Sequence, residues 1–281
     1  METKLNYKRT FLIGLAFLSI CSFWQMYDNI IPLILQNTYH LGETMTGAVM
    51  ALDNVLAIFL LPVFGALSDK VHTKLGRRMP FIVAGTILAV IFMMLLPMID
   101  NAEKARWNTG ESFSNQVIFL AVLFFTLVSM GLYRSPAVAL MPDVTPNHLR
   151  SRANAVINLM GAVGGVYALI MIKVLVGKGE TPDYLPLFAS IAAVMAIAVG
   201  ILVITIRENK LREEVEKAEA ANAGTIEEKA MAEGVEAAGE IEAVGDTGEI
   251  KSFDGKKQTG KTEGTKGTVS YTHLRAHETS Q

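Results

Sequence analysis

Six long apolar runs alternate with short polar segments along the first three-quarters of the chain, at about 11–35, 44–68, 80–99, 115–141, 153–177 and 185–206. Each holds roughly 20 residues or more, the length a helix needs to cross a hydrocarbon core about 30 Å thick. Core helices of soluble proteins are rarely this long and this apolar in series. The pattern predicts an all-α integral membrane domain over 1–206. After residue 206 the apolar runs stop. LREEVEKAEA pairs Glu with Lys at helical spacing and predicts the start of a charged helix. Beyond it the chain is too rich in Gly, Ala, Glu, Lys and Thr to bury a core. Residues 207–269 therefore read as a mostly disordered linker.

Charge adds a direction. The formal net charge of −2 conceals a partition, since 27 of the 52 Asp, Glu, Lys and Arg residues lie beyond residue 206. Counting Lys and Arg in alternate loops gives 12 on one side, including Lys70, Lys74, Arg77 and Arg78, against 3 on the other. Positive loops stay in the cytoplasm. The expected protein is thus a multi-pass protein of the inner (cytoplasmic) membrane with both termini cytoplasmic. The basic N-terminus resembles a signal peptide. Its apolar run is too long and no small-residue cleavage site follows, so it reads as a retained first helix. Cys21 is the single cysteine and excludes an intrachain disulfide.

Ionisable residues inside apolar runs are costly and mark candidate chemistry. Asp53, followed by Asn54, lies about nine residues into the second run, roughly 13 Å deep at 1.5 Å per residue. A carboxylate there can carry a proton or meet a small cation; the alternative is a helix–helix hydrogen bond. Asp28 follows Trp24, Gln25 and Tyr27 and precedes Asn29. An aromatic ring beside carboxylate and amide groups suits a sugar, whose C–H faces stack while its hydroxyls are hydrogen-bonded; the alternative is an interfacial aromatic belt. Arg134 needs a carboxylate or carbonyls, with Asp53 and Asp28 as possible partners, unless it snorkels to the cytoplasmic face. Lys173, near a helix end, reads as snorkelling. Gly161, Gly164 and Gly165 read as close helix packing.

A weak internal repeat links the two halves. Tyr27-Asp28 with Pro32 is echoed by Tyr133-Arg134 with Pro136, and the steps from Asp28 to Asp53 and from Arg134 to Asn158 are similar. This is the 3+3 inverted-repeat logic of secondary transporters. No GxxxxGK[ST] phosphate loop, catalytic triad or metal cluster is present in the sequence. Neither an ATP-driven pump, an enzyme, a cofactor nor a nucleic-acid partner is expected.

The hairpin GALSDKVHTKLGRR at 65–78 carries the most specific signal. It resembles the loop 2–3 signature of the major facilitator superfamily, with Gly65, Asp69, Lys70, Gly76, Arg77 and Arg78 on the motif positions. Its six-residue spacer and its continuation through GRRMPFIVAG are similar to the sugar–cation symporter branch, the sucrose–proton symporters above all. So is YRSPAVALMPDVTPNHLRSRANAVINLMG at 133–161. The resemblance covers 11–206. It implies the N-terminal half of a twelve-helix transporter, alternating access, and a sugar near the midplane driven by a cation. It also implies a cytoplasmic gate at the hairpin, where Asp143 and Arg150 are grouped with the motif residues. Substrate and cation are expected at Trp24, Gln25, Tyr27, Asp28, Asp53, Asn54, Tyr133, Arg134 and Asn158. Leu61 and Ala57 stand where melibiose-type sodium symporters carry carboxylates, which favours protons over sodium. Arg134 lies about one turn before the position of the arginine in plant-type sucrose symporters, so the sugar itself stays open. SYTHLRAHET at 270–279 back-translates, with one choice of codons, to what looks like a transposase-type sequencing adapter. Residues 270–281 accordingly read as adapter read-through, His273 and His277 as chemically meaningless, and the second six-helix half as missing. The alternatives are a transporter of another small organic solute, a six-helix membrane sensor or interaction protein, and a natural half-transporter that dimerises.

Overall fold

The computed structural model describes residues 5–71, 73–107, 115–177, 179, 182–217 and 219–220. The described membrane domain is helical, in the order α1 (Tyr7–Asn37), α2 (Glu43–Met50), α3 (Leu52–Lys70), α4 (Met79–Trp107), α5 (Gln116–Asp143), α6 (Arg150–Leu175) and α7 (Leu185–Thr205). A 3-10 turn, Asn147–Leu149, leads into α6, and residues 208–217 form a further helix, α8. Helices α2 and α3 follow one another as a single span interrupted at Ala51, so six spans are long and apolar enough to cross a membrane. The sequence pattern predicts one unbroken helix over 44–68. The break at Ala51 instead puts Asp53 in the first turn of α3, where the orphan N–H groups and the helix dipole favour a carboxylate. The third span also runs further than its apolar core, because Asp100, Glu103 and Lys104 continue the α4 helix and find partners at its end.

The packing pairs follow the two-fold pattern that the Tyr-Asp/Tyr-Arg echo suggests. Counting α2–α3 as the second span, α1 packs along α6, and α3 along α5; α4 packs on α5, and α7 on α1; α4 also meets α7. Exchanging spans 1, 2 and 3 with 4, 5 and 6 maps each of these pairs onto another or onto itself. Small residues set the closest approaches, as expected where apolar lipid supplies no drive for helix association. A Cβ on Gly164 would overlap the Leu18 carbonyl oxygen of α1, and one on Gly85 would lie 2.6 Å from the Tyr133 nitrogen of α5. Ser22 Oγ donates to the Gly164 carbonyl at 2.9 Å, bonding the α1–α6 contact where the backbones meet.

The core forms around α1, with Phe23, Ile30 and Ile34 packed with Leu127, Met130 and Leu140 of α5 and Phe188 and Met195 of α7. Spans two and five are the least buried. Their exposed residues include apolar side chains, Val55, Ile58, Phe59 and Val63 on α3 and Leu159, Val163 and Val166 on α6. A surface of that kind belongs in lipid or against more protein.

Candidate functional site

At the midsection, α1, α3 and α5 enclose a cavity of about 20 Å³ lined by Trp24, Asp53, Leu56, Ala57, Leu60, Leu61, Leu127, Gly131 and Arg134. It can hold one water molecule. Gly131 helps to make the space: a Cβ there would lie 3.3 Å from Leu60 Cδ1. Two of the lining groups are ionisable and the rest are mostly aliphatic, so charges here are poorly solvated. Arg134 lies over the Trp24 ring, with Cζ 5.5 Å from the centroid, within the range of a cation–π contact. No carboxylate among the described residues is within ion-pair distance of Arg134, so the expected pairing with Asp53 or Asp28 is not made in this conformation. Asp53 instead accepts from the Asn54 side chain at 3.0 Å. Two buried donors next to the cavity, Trp24 Nε1 and the Tyr27 hydroxyl, have no hydrogen-bond partner among the described residues.

Asp28 is exposed one turn above Trp24, and Asn29 beside it donates to the Gln25 carbonyl at 2.7 Å. Pro32 lacks the N–H that would bond the Asp28 carbonyl, which adds a free acceptor there. The Gln25 side chain reaches α6, its Oε1 lying 3.7 Å from where a Gly165 Cβ would be. The other two candidates lie elsewhere. Tyr133 is completely buried, and its hydroxyl is engaged by Ser19 Oγ at 2.7 Å and the Ala16 carbonyl at 3.1 Å. That makes it a tie between α5 and α1. Asn158 is exposed on α6 and does not line the cavity.

The hairpin end carries the second polar centre. Arg78 is buried and spreads its guanidinium over two helices: on α3, Nη2 pairs with Asp69 at 2.7 Å and Nη1 donates to Ser68 Oγ at 2.6 Å, and on α5, Nε pairs with Asp143 at 2.9 Å. Arg77 also pairs with Asp69, at 2.8 Å. A planar fork suits this arrangement, which an ammonium could not reproduce. Gly65 contributes its carbonyl to Ser68 Oγ at 2.8 Å. Lys70 is exposed in the last turn of α3. Arg150 does not join Arg78. It closes the C-terminal end of α5 by donating to the Pro142 and Thr145 carbonyls at 2.9 and 3.2 Å.

Sequence reasoning missed Glu208. This residue is nearly fully buried, and its carboxylate accepts from the backbone N–H groups of Arg77 (2.8 Å), Arg78 (3.0 Å) and Met79 (3.1 Å). It caps the N-terminus of α4 from more than a hundred residues away. Gly76, at φ +128°, brings the hairpin against it, and a Cβ at that position would overlap the carboxylate. The only signal in the sequence was an acid placed directly after the sixth span. At the opposite end of the domain, Asp100 is fully buried between Thr38 Oγ1 (2.6 Å) and Lys104 Nζ (2.6 Å). Burial, then the Asp100 and Glu103 carboxylates, push the Tyr39 phenol above its ordinary range.

Six apolar spans around a small charged cavity, with an ion-paired hairpin at one end, define a multi-pass membrane protein. The chain belongs to the Major Facilitator Superfamily, whose family model matches residues 7–258. It is 35% identical over 116 residues to the sucrose transport protein SUC4 of Arabidopsis thaliana, a match covering 39% of this chain and 22% of that protein. It is 26% identical over 137 residues to the sucrose transport protein SUT3 of Oryza sativa subsp. japonica, covering 46% of this chain and 27% of that protein. The matched region thus spans about a quarter of the length of these relatives.

Proposed function

We propose that this chain is the first half of a sugar–proton symporter of the cytoplasmic membrane, with both termini in the cytoplasm. The observation that carries the reading is the placement of Asp53, Arg134 and Trp24 around one water-sized cavity. In the empty, deprotonated carrier, Arg134 swings from the Trp24 face to neutralise Asp53. A proton on Asp53 releases the guanidinium, whose donors then take sugar hydroxyls while the sugar stacks on Trp24. Proton without sugar leaves Arg134 unpaired, and sugar without proton leaves Asp53 charged in a poorly solvated site. Each single-loaded state is disfavoured by the cost of a buried unpaired ion, and that penalty couples the two fluxes. Asp28, Gln25 and Tyr27 supply polar groups on the outer side of the same helix. The relatives named as sucrose transport proteins support a sugar as cargo. The Arg78 network joins the ends of α3, α4 and α5 in the manner of a cytoplasmic gate. A second six-helix half, facing spans two and five, would complete the path.

Uptake of radiolabelled sucrose and of a panel of other sugars and organic solutes by the complete gene tests this. Accumulation of a sugar, abolished by a protonophore and lost in Asp53→Asn and Arg134→Ala, is expected. Uptake that persists with a protonophore excludes proton coupling. Uptake retained in both variants excludes the site, and accumulation only of a non-sugar solute replaces the cargo.

A further inference from the structure

Beside the hairpin, where α7 ends and α8 begins, lies a cleft of about 410 Å³ lined by Lys74, Leu75, Val203, Ile204, Arg207 and Lys210 among others. Its volume falls in the roughly 300–1,000 Å³ range of small-ligand sites. Its composition is divided: Leu75 and Ile204 are strongly exposed apolar residues, 53% and 85%, and Lys74, Arg207 and Lys210 are exposed cations. Ile204 belongs to the last turn of a membrane span, so the apolar part faces the bilayer while the cations sit at its boundary. We propose that this cleft binds an anionic phospholipid, with its phosphate at Lys74, Arg207 and Lys210 and its acyl chains along Leu75 and Ile204.

Three further observations fit a built site rather than scattered basic residues. The cations come from two segments far apart in sequence that are fastened together: Asn209 Nδ2 donates to the Thr73 and Lys74 carbonyls at 3.1 and 3.3 Å. The acid in the lining, Glu208, turns its carboxylate into the N-terminus of α4, so it does not oppose an anion. No other acidic side chain lines the cleft. Basic pockets between spans at the cytoplasmic face are where anionic headgroups bind.

The full chain, purified in detergent, is titrated with dioleoylphosphatidylglycerol and, separately, dioleoylphosphatidylcholine, and lipid adducts are read by native mass spectrometry. The anionic lipid should bind selectively. Lys210→Gln should weaken it about fivefold, and Lys74→Gln/Arg207→Gln/Lys210→Gln about a hundredfold, from the attraction of each cation near an anionic surface. Arg152→Gln, an exposed cation on α6 away from the cleft, should leave binding unchanged, and Lys74→Arg/Lys210→Arg, which keeps the charge, should retain it. Equal binding of the two lipids overturns the proposal. So does undiminished binding in the triple variant, or an equal loss in Arg152→Gln. Circular dichroism of each variant establishes that helicity is intact, and binding in the charge-conserving variant separates lost charge from lost fold.

Discussion

At the residue scale, the largest unexpected contribution comes from Glu208. One carboxylate accepts three consecutive N–H groups where the hairpin enters α4, two of which, at Arg78 and Met79, would otherwise be buried donors without partners. Glu208→Ala should destabilise the domain by about 2 kcal/mol, the cost of leaving such donors unsatisfied, read as a lower thermal midpoint in detergent. Glu214→Ala, which removes only the exposed pair with Arg9 at 3.2 Å, should change stability by about 0.5 kcal/mol or less. Gly76 belongs to the same contact: its positive φ and the overlap of any Cβ with Glu208 mean that Gly76→Ala should cost at least as much as the cap. The hairpin glycine is legible in the sequence as a motif position. The partner that requires it was not, because the two lie 132 positions apart (208 − 76).

At the element scale, the spans were readable and their junctions were not. Hydropathy runs mark where a helix is apolar, and they end where polar residues begin. Helix α4 continues past that point because Asp100 and Lys104 satisfy one another across one turn and meet Thr38 and the Pro182 carbonyl. Tyr133 shows the converse: its sequence position beside Arg134 suggested a ligand contact, and packing made it a hydrogen-bonded tie to α1. Tyr133→Phe should therefore destabilise by about 1 kcal/mol, read as a lower thermal midpoint in detergent. Gly164→Ala puts a methyl group against the Leu18 backbone and forces α1 and α6 apart. A loss of about 1–3 kcal/mol is expected, visible in the same melting assay. Tyr39 adds a pH dependence. Its raised phenol pKa means the folded state favours the neutral form, so its contribution is fully present below the ordinary value of 10.0 and is lost as pH rises above it. Melting temperature between pH 8 and 11 should fall, and Tyr39→Phe should flatten that fall.

At the scale of the whole molecule, six spans form a bundle whose pairings interchange under a two-fold exchange of its three-span halves. The least buried spans are the second and the fifth, which that exchange relates. The orientation proposed from loop charge can be checked directly. In a Cys21→Ser background, a cysteine at Lys74 should react with a membrane-impermeant maleimide only in inside-out vesicles, and one at Gly42 only in right-side-out vesicles. The opposite result would reverse the topology. Residues 221–281, including the adapter-like stretch with His273 and His277, lie outside the described residues, as does most of the 207–269 linker. The start of that linker, residues 207–217, packs on the membrane domain through Glu208, Leu211 and Val215.

The sequence by itself determined the number of spans, the all-α class, the family and the hairpin's charged residues. These depend on local quantities: the length of an apolar run, the position of Lys and Arg, and a contiguous motif. The tertiary structure decided which charges meet. It put Arg134 on Trp24 instead of on a carboxylate, left Asn158 outside the cavity, separated Arg150 from Arg78, and brought Glu208 to the start of α4. Ion pairing and capping are set by distances between helices, and those distances come from where glycines and serines let backbones approach, as at Gly164 and Ser22.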